Sequence, residues 1–174
     1  FYPATVIGSN VSAAPNHQTS NTTPIKFRFD MACAGRLGME LQPKQMNAEE
    51  KAFARKAIES YKGYRDIVME GDLYRIGTPY DDTGYYGVMY VSKDKKKAVL
   101  FTYCTLYQSR TLVPKYRLYG LDAQTRYKIR EQNVDKKRFW FDGGTFTGEY
   151  LNHAGINPNL NKIYDSAVFV LEAQ

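Results

Sequence analysis

The sequence is poor in the residues that build metal sites. Its 174 residues include two cysteines and two histidines. Cys33 and Cys104 stand far apart and form no Cys-x-x-Cys pair, which excludes the common zinc modules. Both lie among apolar neighbours and read as buried thiols. His17 and His153 are too isolated to hold an ion, so neither a metal nor a cofactor is expected. No apolar run reaches the ~18 residues needed to span a membrane as a helix. The chain also opens at Phe1 with no initiator methionine, signal peptide or N-terminal cap, in what reads as the end of a buried strand. The expectation is a piece of a longer protein, which leaves the cellular compartment open.

What is present is a foldable chain. The hydrophobic fraction is 43%, and 15 tyrosines and 9 phenylalanines rule out a disordered polymer. The formal charge of +6 invites a nucleic-acid reading. The basic residues are scattered, however, and the short runs Lys95-Lys96-Lys97 and Lys136-Lys137-Arg138 read as polar turns rather than one basic face. No nucleic-acid or membrane partner is expected.

The pattern changes near residue 66. Before it, Ala4 to Gly8 is a short apolar run that predicts a buried strand. A Ser-, Asn- and Thr-rich loop leads to Pro24, well placed in the first turn of a helix. Leu37 to Leu41 predicts a second strand. Asn47 with Glu50 forms a capping-box pattern for a second helix, with Gly63 as its stop. Strand, loop, helix, strand, helix is the order of α/β folds with parallel strands. Beyond residue 66 the period becomes two. Strands are predicted at Leu73–Ile76, Tyr86–Ser92, Ala98–Tyr107, Tyr116–Tyr119, Arg126–Arg130, Arg138–Phe141, Thr145–Thr147 and Ser166–Glu172. Such short strands with regular turns suggest an antiparallel sandwich. The fold class is therefore α+β overall, with a boundary between 1–65 and 66–174. The first part has too few elements to bury both faces of a sheet, so exposed apolar surface is expected there.

Several stretches taken together resemble the retaining α-galactosidases of glycoside hydrolase family 36. They are Gly8-Ser9-Asn10-Val11-Ser12-Ala13-Ala14-Pro15-Asn16-His17-Gln18-Thr19, then Thr23-Pro24 with Phe27-Arg28-Phe29, then Gly35-Arg36-Leu37-Gly38-Met39-Glu40-Leu41. Tyr61-Lys62 through Arg65 follows, running into Gly71-Asp72-Leu73-Tyr74-Arg75. Gly120-Leu121-Asp122 and Gly144-Thr145-Phe146-Thr147-Gly148 complete the set. The resemblance implies that residues 1–65 are the last two β/α units of a (β/α)8 catalytic barrel. Residues 66–174 would be the antiparallel β-sandwich behind it. It implies α-galactoside oligosaccharides as substrates, the upstream part of the chain as a partner, and self-association.

A retaining glycosidase needs two carboxyl groups about 5 Å apart. In the family these lie in a Lys-x-Asp motif and a Ser-Asp motif upstream of a strand like the first one here, and neither motif occurs in this sequence. Asp30 falls in a helix, Glu40 at a strand end, and Asp81-Asp82 in a turn, so no catalytic residue is assigned within the chain. The loop after the first strand lies where barrel active sites gather. Asn10, Ser12 and His17 are the candidate substrate-binding residues there. The same residues can instead cap the next helix and hold the loop. The two readings weigh evenly for Asn10 and Ser12, and the structural one is favoured for His17. The many tyrosines could form a sugar-stacking platform, as in a free-standing carbohydrate-binding module. Packing on a pleated surface explains them more simply.

Overall fold

The computed structural model describes residues 4–80, 82–107 and 114–174. Phe1–Pro3 and Asp81, part of two of the stretches read above, lie outside the described residues. A 3-10 turn at Ala4–Val6 leads into β1 (Gly8–Val11), α1 (Ile25–Ala32), β2 (Arg36–Met39) and α2 (Ala48–Glu70). β1 and β2 pair in parallel, with Gly8 opposite Arg36 and Val11 opposite Met39. The alternation and the parallel pairing agree with the sequence pattern.

The first strand sits later than predicted. Ala4–Val6 is a 3-10 turn, and Val6 and Ile7 are 65% and 47% exposed. Pairing decides this: the ladder to β2 begins where Arg36 donates its backbone N–H to the Ile7 carbonyl at 3.2 Å. Only Val11 of β1 is buried. Met39, at 39% exposure, adds to the apolar surface beside this pair of strands.

α2 begins as predicted. The Asn47 side chain accepts from the Glu50 N–H at 2.9 Å, and Glu50 reaches back to the Asn47 N–H at 3.1 Å. It does not stop at Gly63 but runs on to Glu70, so the boundary expected at 65/66 falls inside a helix. Gly63 lies on an open face with nothing within 4 Å of its missing Cβ. A glycine there costs about 1 kcal/mol, and the packing of Tyr64, Ile67 and Val68 against the second sheet outweighs it.

That sheet has β3 (Asp72–Gly77), β4 (Tyr85–Val91), β5 (Lys97–Cys104), β6 (Arg126–Glu131), β7 (Thr145–Thr147) and β8 (Asp165–Ala173), with α3 (Gly148–His153) between the last two. The order is β3-β4-β5-β8-β6-β7, antiparallel at every pairing. β5 and β8 lie at its centre and are buried on both faces. Ala98, Leu100, Ala167, Phe169 and Leu171 point to one core, with Leu118, Phe141, Leu151 and Leu160 from the chain after residue 114. Val99, Phe101, Tyr103 and Val168 point to the other, against Phe27, Tyr61, Tyr64 and Val68. Among the described residues the layer over the first of these faces is irregular chain and α3. Tyr116, in a predicted strand, makes one isolated bridge to Ile156. Arg138–Phe141, also predicted as a strand, runs into a turn closed by the Asp142 N–H on the Phe139 carbonyl.

Cys33 and Cys104 are fully buried. Burial pushes the Cys33 thiol up to about 12 and raises that of Cys104. The thiolate is the reactive form. Native protein at neutral pH is therefore expected to resist a thiol reagent, with both cysteines reacting once denaturant is added. Rapid labelling of the native state would show that the core around them opens.

Candidate functional site

The candidate site is the end of the two-stranded sheet. Successive residues of a strand point to opposite faces. Val11 points towards the helices and packs with Phe29, Ala32, Leu41, Ala54 and Ala57. Asn10 therefore points away from them and is exposed. Its register partner on β2 is Gly38. With no side chain at Gly38, the Asn10 amide lies across β2: a Cβ there would stand 2.0 Å from Asn10 Oδ1. Beyond Gly38 the Asn10 Nδ2 donates to Glu40 Oε1 at 3.1 Å. Glu40 is thus on the same face, two residues along from Gly38. Both strands run in one direction, so Asn10 and Glu40 meet at their carboxyl-terminal ends.

The loop after β1 is held by its own polar groups. Asn16 Nδ2 donates to Ser12 Oγ at 3.1 Å. Asn16 Oδ1 accepts from the Gln18 and Thr19 N–H groups at 2.9 and 3.1 Å. Backbone bonds from Asn16 to Asn21 and from Ser20 to Asn16 close the turn. Arg28 of α1 donates to the Ser12 carbonyl at 2.7 Å and lies 3.5 Å from Glu50 of α2, tying the loop to both helices. Ser12 is half-buried in this mesh, whereas His17 is exposed at the tip without a hydrogen bond among the described residues. Of the three residues expected from sequence, Asn10 lies on the open face, Ser12 anchors the loop and His17 is exposed at the loop's tip. Glu40 carries no local signal of this placement, because only the register of β1 on β2 brings it beside Asn10.

The buried carboxylates Asp30, Glu131 and Asp165 have structural partners. Asp30 of α1 is fully buried. It pairs with Lys26 and accepts from Ser166 Oγ at 2.7 Å and Asn133 Nδ2 at 3.0 Å. Glu131 and Asp165 share Arg138, whose guanidinium also donates to the Ser166 carbonyl at 2.6 Å. This network fastens α1 to the centre of the six-stranded sheet. Asp82 is exposed.

The tyrosines are chiefly core residues. Tyr85, Tyr90, Tyr103, Tyr116 and Tyr127 are buried, while Tyr107 and Tyr119 are exposed. Three of these hydroxyls donate to carbonyls at close range: Tyr90 to Ala34 at 2.7 Å, Tyr103 to Asp30 at 3.0 Å and Tyr127 to Lys95 at 2.7 Å. A buried, bonded ring is not a platform for sugars. Among the described residues no helix is long and apolar enough to cross a membrane.

Comparison with known proteins gives two family matches along the chain. Residues 85–171 match the glycosyl hydrolase family 36 C-terminal domain, and residues 1–71 match the melibiase family. A probable α-galactosidase G of Aspergillus terreus is 34% identical over 99% of the chain and 22% of its own length. Alpha-galactosidase 2 of Hypocrea jecorina is 35% identical over the same shares. Among solved structures, a family 36 α-galactosidase AgaA variant from Geobacillus stearothermophilus, in complex with raffinose, superposes with a TM-score of 0.88 at 28% identity. It is covered over 23% of its length by 99% of this chain. The chain thus spans about a fifth of the length of the curated relatives it matches.

Proposed function

Because the chain belongs to glycosyl hydrolase family 36, we propose that it is the carboxyl-terminal part of an α-galactosidase. That enzyme removes terminal α-galactosyl groups from oligosaccharides of the raffinose and stachyose type by retaining double displacement. One observation carries the reading: the melibiase match and the family 36 C-terminal match lie in order along one chain, at 1–71 and 85–171.

Residues 1–65 are then the last two strand–helix units of a (β/α)8 barrel. The parallel β1–β2 pair with an intervening helix supports this. Val6, Ile7 and Met39 are the surface that neighbouring strands cover, or a second copy when those strands are absent. Residues 66–174 form the β-sandwich domain behind the barrel, the irregular layer after residue 114 taking the place of a second sheet. In a barrel the carboxyl-terminal ends of the strands face the substrate. That puts Asn10 on the pocket wall, with Ser12 and His17 on its rim. The nucleophile and the acid/base are supplied from upstream, about 5 Å apart as retention requires. The residues of this chain orient sugar hydroxyls and carry no proton in the reaction.

The test is hydrolysis of a nitrophenyl α-galactoside. The 174-residue chain is expected to show no turnover, and the intact gene product to be active with retention of configuration. Turnover by the chain alone would place the reacting carboxylates within it and sink the assignment.

A further inference from the structure

Glu40 has no part in the proposed catalytic scheme. It is exposed at the end of β2, yet its carboxylate is committed to Asn10 Nδ2 at 3.1 Å across the strand gap. The path between them is open because residue 38 is glycine. A carboxylate can only accept, so it fixes which end of the Asn10 amide faces it. The second Nδ2–H and Oδ1 remain as a donor and an acceptor side by side, the pairing that a sugar hydroxyl needs.

Resting on the function proposed above, we infer that Glu40 is a positioning residue for substrate. It locks the Asn10 amide in the orientation that binds a hydroxyl of the sugar, away from the bond being cleaved. Gly38 is part of the same device, since any side chain there would push the Asn10 amide aside.

Interactions made equally in the ground and transition states raise KM without changing kcat when they are lost. One oriented hydrogen bond is worth about tenfold. In the intact enzyme, Glu40→Ala and Gly38→Ala are each expected to raise KM for an α-galactoside about tenfold, with kcat nearly unchanged. Glu40→Gln keeps an acceptor at the same place and should recover most of the loss. Asn10→Ala should match Glu40→Ala, and the double variant should be no worse than either alone. Melting temperatures should stay at the wild-type value.

An active wild type with unchanged KM in Glu40→Ala would overturn the inference. So would a loss of kcat and melting temperature together, which is the mark of a purely structural role. A wild type with no α-galactosidase activity would overturn the proposed function, and the role of Glu40 with it.

Discussion

Raising the pH beyond about 10 is expected to unfold the protein in one cooperative step. Tyr64, Tyr103 and Tyr116 are essentially inaccessible in the native state. Burial is the largest cause for each and raises all three hydroxyls above their ordinary range. Tyr85 is pushed up to about 12. The sign follows from which state holds the protons. A folded value above the unfolded one means that the unfolded chain ionises first, so stability is complete below the unfolded value of about 10 and falls as pH climbs from there. The Cys33 thiol acts in the same direction from its lower unfolded value of about 8.5. Each buried tyrosine removes about 1.4 kcal/mol per pH unit. Three together remove about 4 kcal/mol per unit, against a typical total stability of about 5–15 kcal/mol. Absorbance from the tyrosinates of Tyr64, Tyr103 and Tyr116 should therefore appear as a block as pH is raised, together with the loss of circular dichroism. A single smooth titration with the secondary structure intact would refute this account of the core.

Asp30→Ala is expected to cost about 3–5 kcal/mol, the range for stripping one partner from a buried charge. The substitution removes the acceptor for Ser166 and Asn133 and the counter-ion of Lys26. The Lys26 side chain is 22% exposed and keeps a bond to the Ser166 carbonyl. It can therefore turn part of its charge to solvent, which places the cost towards the lower end. Asp30→Asn retains an acceptor of the same shape and should cost less. Adding Lys26→Met to Asp30→Ala should restore part of the loss, because the uncompensated charge is then gone. Equilibrium denaturation of the four proteins decides the matter. A change below about 1 kcal/mol for Asp30→Ala would mean that water already reaches the site.

Much of this architecture can be read from local pattern. The capping box at Asn47 and Glu50 marks the start of α2, and period-two alternation finds β3, β4, β5, β6 and β8. Where pattern fails, a longer-range contact has prevailed. Arg138–Phe141 alternates like a strand, but Arg138 is drawn to Glu131 and Asp165. Phe139 and Phe141, two residues apart, stack on each other with centroids 5.5 Å apart. Ala4 to Ile7 is apolar enough for a strand, but the partner ladder begins only at Arg36. The site divides in the same way. Asn10 was legible because the strand and loop around it are local. Glu40, thirty residues on, is joined to it by register, as Asp30 is to Ser166 across the whole fold; neither pairing leaves a mark in nearby sequence.

The uninterrupted course of α2 bears on how the molecule moves. Its first half packs through Ala54 and Ala57 on the β1–β2 unit, and its second half through Tyr64 and Val68 on the six-stranded sheet. There is no hinge between the two units, only a rigid shaft common to both. A disturbance that tilts the helix at one end must tilt it at the other, so the sheet serves as ballast for the strand ends that carry Asn10 and Glu40. A protease sent to separate the units at residues 65 and 66 would meet no loop there to cut.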